Sequence, residues 1–162
     1  MVKRTLLVAL LFALFVISAP TLVKADPVIS APFVTVGVGD TFTIPVSITD
    51  AVNLAFFQFD LSFDPLIAQA NVTGATAGAL LPLDWFFTSP GAVDNTLGEI
   101  LGVSAFGSAF SGSGVIANIE FTALALGVSP LTFSNVAGNL SEPFEITNGQ
   151  ITVTGTAPVP EP

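Results

Sequence analysis

From Asp26 onward, apolar positions recur every second residue, not every third or fourth. Phe33, Thr35 and Gly37 alternate with Val34, Val36 and Val38. Phe42, Ile44, Val46 and Ile48 alternate with Thr41, Thr43, Pro45, Ser47 and Thr49, and Phe57, Phe59, Leu61 and Phe63 with Phe56, Gln58, Asp60, Ser62 and Asp64. The pattern returns at Ile116-Asn118-Glu120 against Ala117-Ile119-Phe121, and at Ile151-Val153 against Thr152-Thr154. Successive strand side chains point to opposite faces, so these β-branched and aromatic runs predict half-buried strands. Turn signals fall between them at Gly39-Asp40, Asp64-Pro65, Ser89-Pro90-Gly91, Gly107-Ser108, Ser111-Gly112-Ser113-Gly114, Ser129-Pro130 and Asn148-Gly149. Short strands spaced about 8–12 residues apart predict a sandwich or barrel. Pro45 places its strand at an edge or beside a bulge, because proline cannot donate to a ladder. Ala68 to Leu83 is alanine-rich, but Gly74, Gly78 and Pro82 interrupt it and no helix is predicted there.

The first 25 residues have another character. Lys3 and Arg4 precede an unbroken apolar run from Leu6 to Ile17, and Val23-Lys24-Ala25 puts a small residue before Asp26. This reads as a removable secretion signal; a retained anchor is the alternative, disfavoured by the short run and by Pro20. All three basic residues lie in this segment and all twelve acidic residues lie after it. The chain from Asp26 on therefore carries twelve negative charges and no Lys, Arg or His. Binding to nucleic acid needs cations to neutralise phosphates, and an anionic membrane surface needs the same, so both are disfavoured. At the other end, Gly155 to Pro162 cannot continue a ladder and reads as a proline-rich linker. The expected organisation is a signal peptide over 1–25, one domain over 26–154 and a linker over 155–162.

Three segments resemble cohesin domains. Val38-Gly39-Asp40-Thr41-Phe42-Thr43-Ile44-Pro45-Val46 is similar to the family's opening strand, and Ala55 to Pro65 (AFFQFDLSFDP) to its strand ending in an aromatic-Asp-Pro turn. Gly114 to Phe121 (GVIANIEF), followed by Gly127-Val128-Ser129-Pro130-Leu131, is similar to its late hairpin. The resemblance covers roughly residues 28–154 and implies a nine-stranded jelly-roll β-sandwich related to bacterial cellulose-binding modules. It also implies a non-catalytic role, since cellulosomal cohesins bind calcium-loaded dockerin domains. The C-terminal Val159-Pro160-Glu161-Pro162 resembles the start of a PEP-CTERM sorting signal, implying a secreted or surface-bound bacterial protein whose membrane helix would follow Pro162.

The missing residue types narrow the chemistry. Without His, Cys, Lys or Arg beyond residue 25, nucleophilic triads, Schiff bases, arginine clamps and zinc sites have no members. A two-carboxylate glycosidase is the surviving catalytic scheme, and no long insertion builds the pocket that would raise one pKa. The expectation is no enzyme and no cofactor. Calcium is the one metal that suits an oxygen-only set; Asp94, Asn95 and Glu99 form the best such cluster, and a solvated acidic hairpin is the favoured account of them.

Two recognition surfaces compete. On the strand before Asp64-Pro65, Phe56, Gln58, Asp60 and Ser62 face outward if Phe57, Phe59, Leu61 and Phe63 face the core, giving a protein-binding face. In cellulosomal cohesins the first two of these positions carry an Asn and an Asp that hydrogen-bond the dockerin, whereas this chain has Phe56 and Gln58. The alternative is a carbohydrate-binding module that uses Trp85, Phe86 and Phe87, one of the adjacent aromatics Trp85 and Phe86 being outward, or the run being a core strand. A third reading is a matrix spacer. Asn71-Val72-Thr73 and Asn139-Leu140-Ser141 match the N-glycosylation pattern and are taken as coincidence.

Overall fold

The computed structural model describes residues 26–140 and 143–155. The expected signal segment, residues 156–162 of the linker and the sorting-signal tetrapeptide lie outside the described residues. Nine strands follow in chain order. They are β1 (Val28–Ser30), β2 (Phe33–Gly37), β3 (Thr41–Ser62), β4 (Ala68–Ala77), β5 (Phe86–Asp94), β6 (Glu99–Ala123), β7 (Gly127–Gly138), β8 (Glu145–Thr147) and β9 (Gly149–Thr154). The all-β, nine-stranded expectation is met.

The strands are not all short. β3 has 22 residues and β6 has 25, and they pair antiparallel from Thr41↔Thr122 to Ser62↔Glu99. Ladders this long twist, so they survive only by bending. The register slips between Ile48 and Ala51 and again between Ala51 and Leu54, where Asp50 (φ 54°) and Asn53 (φ 56°) adopt left-handed backbone. Ser113 Oγ accepts the Asp50 N–H at 2.9 Å and Ser111 Oγ the Asn53 N–H at 3.0 Å. The run Ser111-Gly112-Ser113-Gly114 therefore lies inside β6 and supplies the acceptors that the bent β3 lacks. Asn139 completes the bend: its Oδ1 accepts the Ala55 and Phe56 N–H groups at 2.7 and 3.0 Å, and its Nδ2 donates to Asn53 O at 2.9 Å. Gly107-Ser108, Ser89-Pro90-Gly91 and Ser129-Pro130 likewise lie within β6, β5 and β7 instead of forming turns.

The bend divides each long strand between two layers. In one, the order is β5, β6 (99–106), β3 (56–62) and β7 (132–138). In the other, β4, β6 (114–123), β3 (41–49), β1 and β8 lie side by side, while β9 links the first half of β7 to β2. Pro45 sits where β3 pairs with β6 alone, one residue before a register slip, as its missing N–H requires.

Between the layers, Phe57, Phe59, Leu61 and Phe63 from one side meet Ile44, Val46 and Ile48 from the other, with Ile100, Ile119, Phe121, Leu131 and Ile151. Phe63 meets Phe121 edge-on at 5.2 Å, and Phe59 meets Phe133 edge-on at 5.5 Å. Each fully buried phenylalanine contributes about 1.5–3 kcal/mol by leaving water. The one buried polar side chain among the described residues, Ser129, accepts the Asp64 N–H at 2.8 Å and fixes the Asp64-Pro65 turn.

Candidate functional site

Because alternate residues of β3 fill the core, their neighbours Phe56, Gln58, Asp60 and Ser62 line the outer surface of the β5–β6–β3–β7 layer. Cross-strand register decides what accompanies them. Phe56 stands opposite Phe106 on β6, which stands opposite Phe86 on β5. The Phe86 and Phe106 rings lie 6.4 Å apart, with 63% and 48% of their surfaces exposed. Three aromatics thus form a row across three strands. The next row is polar: Gln58 lies opposite Ser104 on β6 and Ala137 on β7, and Thr88 and Ser104 share a hydroxyl contact of 2.9 Å. Phe106 escapes the sequence reading because Gly107-Ser108 after it looks like a turn; its alternation with Val103 and Ala105 is the signal that finds it.

Asp60 occupies the centre of this surface and is already engaged. Its Oδ1 accepts the Gly102 N–H at 2.6 Å, and its Oδ2 accepts from Asn135 Nδ2 at 2.5 Å. Both partners sit at left-handed backbone, Gly102 at φ 69° and Asn135 at φ 50°. Each lies where its strand slips against β3: β6 between Phe59 and Leu61, and β7 between Gln58 and Asp60. One carboxylate therefore joins two bulges that flank the same strand, so both of its oxygens face the fold.

The aromatic run at the start of β5 splits between faces. Trp85 turns inward, stacks on Phe57 at 5.7 Å, meets Phe110 edge-on at 5.3 Å and donates Nε1–H to Ser108 O at 2.8 Å. Phe87 also turns in, edge-on to Phe57 at 6.2 Å. Only Phe86 faces out, so Trp85, Phe86 and Phe87 do not form one stacking platform. Beside Trp85, Asp84 Oδ1 accepts the Ser108 hydroxyl and Oδ2 the Ser108 N–H, both at 3.0 Å. The hydroxyl first, then the N–H, hold the Asp84 carboxyl below its ordinary value of 3.8.

The residues read as oxygen ligands hold a hairpin together. Asp94 Oδ1 accepts the Leu97 and Thr96 N–H groups at 3.0 and 2.8 Å; these donors, Leu97 first, lower its pKa below 3.8. Asn95 reaches across to β4, accepting the Ala70 N–H and donating to Ala70 O, both at 2.8 Å. Glu99 lies opposite Asp94 in the β5–β6 register. The Asn95 amide is thus committed to β4 through both its oxygen and its nitrogen. Among the described residues, no group of three or more His, Cys, Asp or Glu side chains could hold a metal ion.

The surface has the chemistry of contact: a broad exposed sheet with an aromatic row, a hydroxyl and amide row, and a carboxylate tied into its middle. A family model for the cohesin domain matches residues 28–157. No curated relative matches the chain. Among solved structures, a non-cellulosomal cohesin from Archaeoglobus fulgidus superposes with a TM-score of 0.65 at 18% identity, over 81% of this chain and 93% of its own. The seventh ScaB type I cohesin from Pseudobacteroides cellulosolvens gives 0.66 at 21% identity, over 84% and 97%. The third cohesin of ScaC from Acetivibrio cellulolyticus, in complex with the ScaB dockerin, gives 0.64 at 17% identity, over 78% and 98%.

Proposed function

The chain belongs to the cohesin domain family, and from that membership we propose that it grips a protein partner, dockerin-like in kind, through the outer surface of its β5–β6–β3–β7 layer. The family is a non-enzymatic protein-interaction module. Several of its structural neighbours are cohesins in complex with dockerins. The observation that carries the reading is the row Phe56–Phe106–Phe86, because a monomeric fold gains nothing from holding two large rings half in water. Aromatic side chains of this kind anchor protein interfaces, and Gln58, Ser104 and Thr88 supply a polar border. Asp60 and Ser62 belong to the same surface, Asp60 as the residue that shapes it. A polysaccharide site is not favoured, since Trp85 and Phe87 are turned into the core and the exposed Phe86 and Phe106 rings are tilted 47° to one another instead of forming one flat platform.

The basic start and apolar run of residues 1–25 support an export signal, the strand pattern of residues 26–154 a single binding domain and the proline-rich composition of residues 155–162 a linker; an export signal supports work outside the cell. Recovery of secreted material whose first residue is Asp26 checks the export step.

Titration calorimetry of the protein against dockerin modules encoded in the same genome tests the binding surface. Phe106→Ser and Phe86→Ser are each expected to weaken binding roughly tenfold or more, about 1.4 kcal/mol, with thermal stability little changed. Undiminished affinity in both variants would overturn the assignment.

A further inference from the structure

Four connections meet at one end of the sandwich: Gly37–Asp40, Phe63–Ile67, Asn95–Gly98 and Leu124–Leu126. Backbone hydrogen bonds lock them together: Gly39 N–H to Ala123 O and Ala123 N–H to Asp40 O at 2.9 Å, Leu124 N–H to Ile67 O and Phe63 N–H to Gly98 O at 2.8 Å. Connections usually carry Gly, Asn, Ser or Pro at their tips. Here three of the four carry leucines. Leu66, Leu97 and Leu126 are 77%, 66% and 62% exposed, and Leu124 is exposed beside them. Single exposed leucines are ordinary, but a group of four on adjoining loops at one end is not.

The leucines are also held in place. Asp64 Oδ1 accepts the Leu66 N–H at 2.9 Å, and Asp94 Oδ1 accepts the Leu97 N–H at 3.0 Å. Each of these two tips thus stands on an aspartate. Asp40, capping Gly37 N–H at 2.7 Å, and Glu99 extend the carboxylate border.

We propose that this leucine-tipped end is a second protein-binding surface, distinct from the sheet face, whose partner presents an aliphatic recess bordered by Lys. Charge complementarity selects that occupant. No residue after Lys24 is basic, so a second copy would bring one carboxylate border against another with no cation to offset it. An anionic lipid surface is repelled for the same reason. A cation-bordered recess satisfies the apolar tips and the carboxylates together, and fixes the orientation in which it binds.

The test exploits the composition. The purified full-length protein is dimethylated at its own amines, mixed with the extracellular fraction of the cells that make it, and treated with a carbodiimide, which joins carboxylates to partner lysines as amides. The expected product links a peptide containing Asp64 or Asp94 to lysines of one partner. Its yield falls roughly tenfold in the Leu66→Ser/Leu97→Ser double variant and in about 0.5 M salt, where screening is short-ranged. The yield persists in Phe106→Ser, so loss of the sheet-face reading leaves this result standing, and the reverse also holds. Four results each overturn the proposal: no product, product spread evenly over all carboxylates, leucine-dependent co-sedimentation with phosphatidylcholine vesicles, or leucine-dependent dimers in sedimentation velocity. Because all the substituted leucines are solvent-exposed, an unchanged melting temperature in the double variant shows that folding is intact.

Discussion

Gly107 has no room for a side chain: an added Cβ would overlap the Trp85 indole at Cδ1 and stand 2.6 Å from Cγ. The indole in turn is pinned by its bond to Ser108 O and by Phe57, so it cannot yield without leaving the core edge. Gly107→Ala is therefore expected to cost about 1–3 kcal/mol and to displace the indole toward water. Trp85 is the single tryptophan of the chain, so its emission reports the change directly. A red shift and easier quenching are expected; an unaltered spectrum would refute the packing described. At this scale the alternation was legible wherever an apolar side chain had a face to fill, as for Phe57, Phe59, Leu61 and Phe63. The inward turn of Trp85 was not. Adjacent residues on a strand must diverge, yet nothing local says which of the pair goes in; that choice is made by Phe57, Phe110 and Ser108, distant in sequence.

Strand bends and bulges set the character of the elements. β3 and β6 run past points where short strands would have stopped, and side chains replace the ladder partners lost there. Ser111, Ser113 and Asn139 do so at the bend, and Asp60 at the paired bulges. Asp60→Leu removes the acceptor for Gly102 N–H and Asn135 Nδ2 together. It should lower stability by about 1.5–3 kcal/mol, with Asp60→Asn in between because an amide offers one acceptor oxygen. Urea unfolding measures the loss, and hydrogen exchange should find the Gly102 amide deprotected; a protected amide in the leucine variant would contradict the bridge. The strands themselves were legible, but their lengths were not. Glycine and serine signal a change of direction without saying whether the chain reverses or merely bulges. Gly91, at φ 91° inside β5, is such a case: its neighbours Pro90 and Ala92 remain paired with β6.

At the scale of the whole molecule, acidity governs response to pH. From Asp26 on there is no His, Cys, Tyr, Lys or Arg, so no side-chain type whose ordinary pKa lies near neutrality is present there. The melting temperature should be flat between about pH 5 and 9. Asp84 and Asp94 have carboxyls lowered below 3.8 in the folded state. The unfolded chain binds protons there first, so their contribution is fully present above that value and is lost as pH falls through the folded ones. Calorimetry across pH 2–9 should therefore show a decline only on the acid side of about 3.8; a midpoint shift near neutrality would contradict it.

The direction of the terminal strands has a mechanical consequence. β2 and β9 run parallel, paired from Phe33↔Gln150 to Gly37↔Thr154, while the chain enters near Val28, at the end of the sandwich opposite Thr154. Tension between the two ends pulls these neighbours in opposite senses along their shared axis, so their hydrogen bonds are loaded side by side in shear instead of being unzipped one at a time.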